Sequence, residues 1–584
     1  MAWPAWLAPT LRGYRREWLA DDLPAGLVLA VLLLPQSLAY AMLAGLPPHF
    51  GLYASIFPVL AYALLGSSTL MAVGPVAVVA LMNMTTLAPL ATPGSERYIA
   101  LSAQLAWLSG AMLLALGWLR LGFLARLLSH AVMGGFVTGA ALLIVIGQLP
   151  GLLGVPAAGT SALDQLTALM SRLGEAHRAT AALGLASLLL LVVGQRFLTR
   201  GLLRFGLSMR SVQLSSRLWP LVVVMLATTT VALAELGANH GVAVVGVIPS
   251  GIAMPAPVWP TDTSSSGLWR GALAIALVSF VESVSVAQAL ALRRRERVRP
   301  DAELLGLGLA KLVGGFSGAL SVSGSFSRSA INATVGARTQ LANIIAAAVL
   351  GLFALAATGL FQSLPLATLA ATIIVSVLGL IDITGVARMA RFDRGDASAW
   401  LLTALGTLVF GVEAGILSGL VTSLAVLLWH ASHPHIAVVA PLPGTGHVKN
   451  VARHAISRPR GVLALRIDEN LFFGNITALI ERVELELEQA PDARHVVLVL
   501  SAVNGVDYSA LESLEALDRD LAAQGIVLHL AEIKGPVLDR LRRSRWLATM
   551  EGRIHPFAAD AVSTLVDRSQ ADGSDDTIDR RQAQ

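Results

Sequence analysis

Cysteine is absent from the 584 residues. That excludes disulfides, thiolate metal sites and thiol catalysis, without fixing a compartment. Charge is scarce as well. Only 14% of residues are Asp, Glu, Lys or Arg, 55% are hydrophobic, and the mean hydropathy is +0.69. A soluble domain carries about a quarter charged residues. No lysine follows a glycine-rich loop in the Walker A manner, and HExxH and GxSxG are missing, so neither ATP hydrolysis nor an intramembrane hydrolase is expected. The chain is read as a non-enzyme. Its 12 histidines show no metal-ligand spacing, so no metal and no other cofactor is expected. Met1–Asp22 lacks a short apolar core before a small-residue cleavage site and reads as a cytoplasmic N-terminal segment. The net charge of +5 comes without aromatic–basic interleaving, and nucleic acid is not expected as a partner.

What the chain has in abundance is apolar stretches of spanning length, about 17–25 residues each. They recur from near Gly26 to about Trp429, and the sequence beyond His430 reads as an ordinary soluble one. This predicts a membrane domain over 23–431 and a soluble domain over 432–568, with a polar, disordered tail at 569–584. About fourteen spans are expected, several of them short or broken. The clearest are Leu23–Leu43, Gly51–Gly66, Ile99–Leu119, Ala131–Leu149, Ala181–Val193, Pro220–Leu233, Gly271–Leu290, Asn343–Leu360 and Trp400–Val412. Arginines alternate between the connections. Arg12, Arg15 and Arg16 precede the first span, and further groups fall at Arg120 and Arg126, Arg196–Arg217, Arg293–Arg299 and Arg388–Arg394. Intervening loops are poor in basic residues, so both termini are expected on the cytoplasmic side.

Two segments interrupt the apolar pattern. Thr69–Met84 carries Gly74–Pro75 in its middle, and proline suits the first turn of a helix, so a half-helix is expected near Pro75. Ser321–Ala337 is too polar to face lipid and predicts a second half-helix from Ser325–Ser327. Paired interruptions in the two halves of a membrane protein point to a midplane binding site. Each half-helix N-terminus contributes roughly +0.5 of an elementary charge, and Arg328 raises the total to roughly +2, suited to a divalent oxyanion. The plainer alternative is a packing kink at Gly74–Pro75 and an arginine reaching the cytoplasmic interface. Glu282, within Gly271–Leu290, would cost about 3 kcal/mol at the centre of a bilayer, so it must face protein or water. It reads as a proton carrier or coupling group, the alternative being a fixed partner for an internal cation. Gly135–Gly139 and Gly314–Gly318 are read as close helix packing, and Pro35 and Pro58 as kinks within spans.

Three blocks, taken in order, resemble the sulfate permease (SulP) family of anion transporters. They are PQSLAY at Pro35–Tyr40, the run from Pro47 to Met82 with GLY, Pro58, Gly66–Ser67 and Gly74–Pro75 in sequence, and SGSFSRSAINA at Ser323–Ala333. The resemblance extends from Trp18 to about Val566. It implies an α-helical polytopic membrane protein, a seven-plus-seven inverted repeat whose core domain carries an anion past a gate domain. Carried over residue by residue, it implies anion contacts from Gln36 and Tyr40 in the first span and from Val76 and Ala77 at the first tip. Phe326, Ser327 and Arg328 follow at the second tip, with Glu282 in the eighth span. Sodium-using bicarbonate carriers of the family tend to have an aspartate in that span and a hydroxyl one turn later. Glu282 and Val286 stand there instead, which argues against a sodium site. A tip arginine with a glutamate resembles the proton-coupled, sulfate-type members. The resemblance therefore implies proton-coupled sulfate uptake as a homodimer in a bacterial-type inner membrane. Carriage of bicarbonate or a C4-dicarboxylate, or an anion channel of the same fold, remain the alternatives. Lys311 departs from the family, where a neutral polar residue is frequent, and is expected to pair with an internal acid.

The soluble part alternates predicted strands (His435–Ala440, Val462–Arg466, His495–Leu500, Ile526–Leu530) with amphipathic helices (Ile476–Gln489, Tyr508–Ala523, Val537–Met550). It resembles the α/β STAS domain that ends most SulP proteins, the match resting on Leu498–Leu514. Asp507 is expected to cap the helix that follows it. Ser509 occupies the place where anti-sigma antagonists are phosphorylated, although an ordinary first-turn serine is the plainer reading.

Overall fold

The computed structural model describes residues 10–123, 129–156, 162–198, 209–249, 251, 266–356, 358–454 and 456–568. The expected tail at 569–584 and the arginines Arg126, Arg200 and Arg204 lie outside them. The chain divides into two compact units, Met1–Ser423 and Leu424–Gln584.

The first unit is helical. In chain order its helices are α1 (Leu19–Leu43), α2 (His49–Leu65), α3 (Ala77–Leu87), α4 (Glu96–Trp118), α5 (His130–Leu153), α6 (Ala162–Ser171), α7 (Arg178–Val193) and α8 (Met209–Leu233). They continue with α9 (Ser266–Arg294), α10 (Pro300–Phe316), α11 (Phe326–Val335), α12 (Leu341–Ala356), α13 (Leu366–Leu378), α14 (Ile383–Phe392), α15 (Arg394–Phe410) and α16 (Val412–Ser432), the last running on into the second unit. Without the short α6 and α14, and a single turn at Leu236–His240, fourteen helices remain among the described residues. Among the described residues four helical stretches are long and apolar enough to cross a membrane, Arg16–Leu43, Glu96–Trp118, Ala131–Leu153 and Gly267–Ala291, and seven further apolar helices are shorter. Large apolar side chains point outward along them, Leu189 being 63% and Leu352 67% exposed, as expected of surfaces that lipid covers.

Packing sorts these helices into two bundles. In one, α4 lies along α10, α2 along α10 and α12, and α1 along α2 and α12, with α9 against α3 and α4. In the other, α5 packs on α13 and α15, and α7 on α5, α8 and α13. Small residues set these approaches. A Cβ on Gly139 would stand 2.7 Å from the Ala404 carbonyl oxygen, so the Gly135–Gly139 pair lets α5 close on α15. Gly314–Gly318 is different, because Gly318 has φ +69° in the turn after α10 and so serves chain direction as well as packing. Pro35 and Pro58 lie inside α1 and α2.

The expected span Asn343–Leu360 is shorter in the structure, ending at Ala356 and followed by a 3-10 turn at Thr358–Phe361. The first helix begins at Leu19, ahead of the expected Leu23. The reason is Asp22, which is fully buried and accepts from the backbone N–H groups of Arg338 (2.6 Å) and Thr339 (3.1 Å) and from Thr339 Oγ1 (2.7 Å).

The second unit holds a six-stranded sheet in the order β4-β3-β5-β6-β7-β8. Its strands are β3 (Ile436–Pro441), β4 (Val448–Asn450), β5 (Val462–Ile467), β6 (His495–Val499), β7 (Val527–Ala531) and β8 (Ile554–His555). The pairs from β5 to β8 are parallel and those of β3 antiparallel. Helices α17 (Ile476–Glu488) and α18 (Tyr508–Ala523) supply one apolar layer against the sheet, and the helix over residues 558–568 supplies the other. Such two-sided burial explains why the parallel strands read as continuous apolar runs. Asp507 caps α18 by accepting from Ala510 N at 2.8 Å. The helix expected over Val537–Met550 is broken into α19 (Gly535–Leu541) and a turn at Trp546–Thr549. Ser544 Oγ donates to the Leu541 carbonyl at 2.7 Å and ends the first piece, and the turn then buries Trp546, whose Nε1 donates to Asp518 at 3.0 Å.

The sheet also carries an arrangement that the sequence did not suggest. His495 Nδ1 lies 3.2 Å from His529 Nε2, and His529 Nδ1 lies 3.1 Å from His555 Nε2, across three neighbouring strands. Burial of His529, with His495, His555, Arg553 and Arg568 nearby, lowers its pKa to about 3.

Candidate functional site

Both interrupted segments become a strand followed by a half-helix. β1 (Ala72–Gly74) leads into α3, and β2 (Ser323–Ser325) leads into α11. The two strands pair antiparallel, with Ala72 opposite Ser325 and Gly74 opposite Ser323. Such a pair can exist at membrane depth only where protein surrounds it, because each exposed backbone group would otherwise lack a partner. Here all six strand residues are buried. The helices that follow have 11 and 10 residues, about 15 Å each, half of a hydrocarbon core of about 30 Å. The first half-helix starts at Ala77, two residues after the expected Pro75. Pro75 lies in the extended lead-in, where its missing N–H costs nothing.

The two helix starts share one feature. Neither Val76, ahead of α3, nor Ser325, ahead of α11, caps its helix with a side chain. The first N–H groups of both helices are therefore without the usual acceptor, and the positive ends of two dipoles meet at the paired strands. Between them lies Arg328, at the third position of α11 and only 1% exposed. Its Nη1 donates to the Pro75 carbonyl at 2.6 Å, so the second tip holds the chain of the first. Its Nε and Nη2 have no hydrogen-bond partner among the described residues. Gly74 leaves the guanidinium room, since a Cβ there would stand 3.3 Å from Nη2.

Glu282 projects from α9 toward β2, and Ser323 Oγ donates to its Oε2 at 3.0 Å. Ser323 also bonds the Ser279 carbonyl at 3.3 Å, and Gly324 N donates to Ser283 Oγ at 2.8 Å, which fixes β2 to α9. Glu282 lies within electrostatic range of Arg328 and Lys311. The expected acid partner of Lys311 is not found. Its Nζ donates to Ser279 Oγ at 2.6 Å and to the Ile275 carbonyl at 3.4 Å, and it makes no ion pair among the described residues. Ile275 and Ser279 are the groups that α9 turns toward α10, whereas the Glu282 carboxylate, almost a turn further on, is held by Ser323.

A cavity of about 340 Å³ adjoins the second tip. It is lined by Gln36 and Pro35 of α1, Phe326 and Ser327 of α11, and Thr372 and Ser376 of α13, among others. Val76, Ala77, Tyr40, Glu282 and Arg328 do not line it. Tyr40 lies near Ser376 and within electrostatic range of Arg328 and Glu282. Thr372, Ser376, Ser279 and Ser283 were not singled out in the sequence. Single hydroxyls in apolar helices are common and carry no signal of their own. Nor was the scaffold under β1. Glu303 accepts from Ser67 N (2.9 Å), Ser67 Oγ (2.6 Å), Ser68 N (3.1 Å) and Tyr62 Oη (2.8 Å). Gln340 donates to the Met71 carbonyl at 2.9 Å, Asn343 to the same oxygen at 3.0 Å, and Asn332 to the Leu70 carbonyl at 3.1 Å. Glu303 resembles any acidic first-turn residue in the sequence, and only the close approach of α10 to α2 makes it a buried anchor.

In the second unit Ser509 is exposed at the second position of α18. A groove of about 430 Å³ beside it is lined by Tyr508, Glu512, Arg540, Arg543 and others.

Two domain models match this chain. The model described as the sulfate permease family covers residues 19–403, and that of the STAS domain covers residues 455–561. The chain belongs to the sulfate permease family. Members of this family are transporters, not enzymes, and the matched region makes this a multi-pass membrane protein with a C-terminal STAS domain. A protein named "Probable sulfate transporter" from Mycobacterium tuberculosis is 35% identical over 550 residues, 94% of this chain and 95% of its own. The chloroplastic sulfate transporter 4.1 of Arabidopsis thaliana is 34% identical over 548 residues, 91% of this chain and 78% of its own. Among solved structures, murine Solute Carrier 26 family member A9, an anion transporter in an inward-facing state, superposes with a TM-score of 0.84 at 22% identity. That match covers 95% of this chain and 93% of the murine one. The transmembrane domain of a cyanobacterial bicarbonate transporter, BicA, matches over 70% of this chain and 98% of its own, with a TM-score of 0.58 at 21% identity. These two likenesses describe the fold.

Proposed function

We propose that this chain is a secondary transporter of inorganic anions, that sulfate is its substrate and that a proton is the coupling ion. The observation that carries the reading is Arg328, a buried cation with two unpartnered N–H donor nitrogens between two uncapped helix starts. A divalent oxyanion supplies acceptors for both the guanidinium and the N–H groups of the two helix starts. The 35% identity to a protein named as a sulfate transporter favours sulfate over other oxyanions.

In this reading Gln36, Phe326 and Ser327 guide the anion from the cavity, Val76, Ala77 and Arg328 hold it at the tips, and Tyr40 closes the site from α1. Glu282 carries the proton. Protonated, it leaves the positive charge of the tips free for the anion; ionised, it competes with the anion for Arg328. The bundle containing both tips moves as a core against the other bundle as a gate. The antiparallel pairing of β1 with β2 supports an inverted seven-plus-seven repeat. We also infer an inner-membrane homodimer with both termini cytoplasmic. The exposure of Ser509 is compatible with a regulatory phosphate, and its modification is checked by mass spectrometry of the protein from cells grown under several sulfur regimes.

The test is uptake of radiolabelled sulfate into proteoliposomes under an inward proton gradient, an inward sodium gradient or none. Concentrative uptake with the proton gradient alone is expected. Sulfate excluded under every condition would sink the substrate assignment and move it to bicarbonate or a C4-dicarboxylate.

A further inference from the structure

A buried charge that the proposed site does not use is Lys311. It is fully buried in α10, where α4 closes on it so tightly that a Cβ on Gly110 would stand 3.0 Å from the lysine Cβ. An ammonium at such depth is costly to bury, and the usual remedy is a carboxylate partner. None pairs with it among the described residues. Its partners are the Ser279 hydroxyl and the Ile275 carbonyl, both neutral oxygens of α9. Hydroxyl and carbonyl oxygens are the donor type that small hard cations take, and a carboxylate lies at longer range. The carboxylate here is Glu282, joined to the same stretch of α9 because Ser323 bonds both it and the Ser279 carbonyl.

We propose that the Lys311 ammonium occupies a cation site between α9 and α10, as a tethered replacement for a free monovalent cation. The lysine holds beside Glu282 a positive charge that would otherwise have to be bound from solution. Anion binding at the tips therefore needs no added sodium. The link to transport rests on the function proposed above, whereas the cation site does not.

The test uses the full chain, wild type and with Lys311→Ala or Lys311→Met, in sodium chloride or in choline chloride at equal ionic strength. The melting temperature of the wild type in detergent is expected to be the same in both salts. Lys311→Ala vacates the oxygen site, and sodium is expected to raise its melting temperature by about 2–4 °C. Lys311→Met fills the space without a charge and is expected to show no response to sodium. In proteoliposomes, anion uptake by Lys311→Ala is expected to fall about tenfold or more in choline and to recover in sodium. A wild-type protein that gains stability from sodium, or needs it for uptake, overturns the proposal, and that arm requires no variant to fold. A folded Lys311→Ala protein indifferent to sodium in both measurements overturns it too. Sodium stabilisation of Lys311→Ala, combined with a wild type that moves no anion, upholds the cation site and rejects the transport reading.

Discussion

Arg328 keeps two N–H donor nitrogens without acceptors among the described residues, in a site where each lost hydrogen bond costs about 1–3 kcal/mol. A protein retains such a group where a ligand supplies the missing acceptors. Arg328→Ala is therefore expected to weaken anion binding about ten- to a hundredfold, measured by calorimetric titration of the purified protein. Lys at that position should recover only part of the loss, because a point charge lacks the planar fork. Glu282→Gln keeps the hydrogen bond with Ser323 but cannot ionise. It is expected to lose accumulation driven by a proton gradient, measured as the steady-state ratio of internal to external sulfate. Wild-type behaviour in both variants would remove the site assignment. His529 gives a residue-scale prediction in the other unit. Its pKa of about 3 lies below the ordinary 6.5, so between these values the unfolded chain binds a proton that the folded chain does not. The stability it contributes is present above pH 6.5 and falls by about 1.4 kcal/mol per pH unit below it. Hydrogen-exchange protection of β7, corrected for intrinsic rates, should decline from pH 7 to pH 5. A His529→Asn variant with the same decline would count against this origin.

At the scale of the element, the two tips depend on how their strands are held. β1 has only three residues and cannot define its own position. It is aligned by β2, by the amides of Asn332, Gln340 and Asn343, and by the turn that Glu303 binds from α10. Replacing Glu303 by Ala leaves Tyr62 Oη and the Ser67 and Ser68 donors unpaired inside the protein. The expected cost is about 3 kcal/mol or more, read as a lowered melting temperature, together with weaker anion binding as the first tip loses its alignment. A melting temperature within a degree of wild type would show that water or neighbouring groups replace the carboxylate.

Over the whole molecule, each unit has an apolar core of its own, one among the helices and another between sheet and helices. Neither core needs side chains from the other to be complete. Every residue assigned to the anion site also belongs to the first unit. A chain ending at Ala431 is thus expected to retain measurable, proton-driven sulfate uptake in proteoliposomes. Complete loss of flux from a truncated protein that still purifies as a folded species would give the STAS domain an essential part in transport.

Much of this was legible in the sequence because membranes constrain backbone chemistry so strongly. Spans had to be helical and apolar, and breaks such as Gly74–Pro75 and the polar run Ser321–Ala337 could persist only inside protein. The sequence by itself therefore determined the membrane unit, both half-helices, the strand–helix alternation of the soluble unit, and Arg328 and Glu282 as charges needing a role. Tertiary structure decided what local pattern cannot carry. The start of α3 at Ala77 depends on strand pairing across some 250 residues, as does the bond from Arg328 to the Pro75 carbonyl. The importance of Glu303, Ser323 and Asn343 follows from which helices approach which loops, and each is unremarked beside its chain neighbours. Lys311 shows the same limit. Its charge was visible, but only the packing of α9 on α10 showed that it meets neutral oxygens and not an acid. Burial and partner choice are set by contacts distant in sequence, and periodicity reports only the face that a residue occupies.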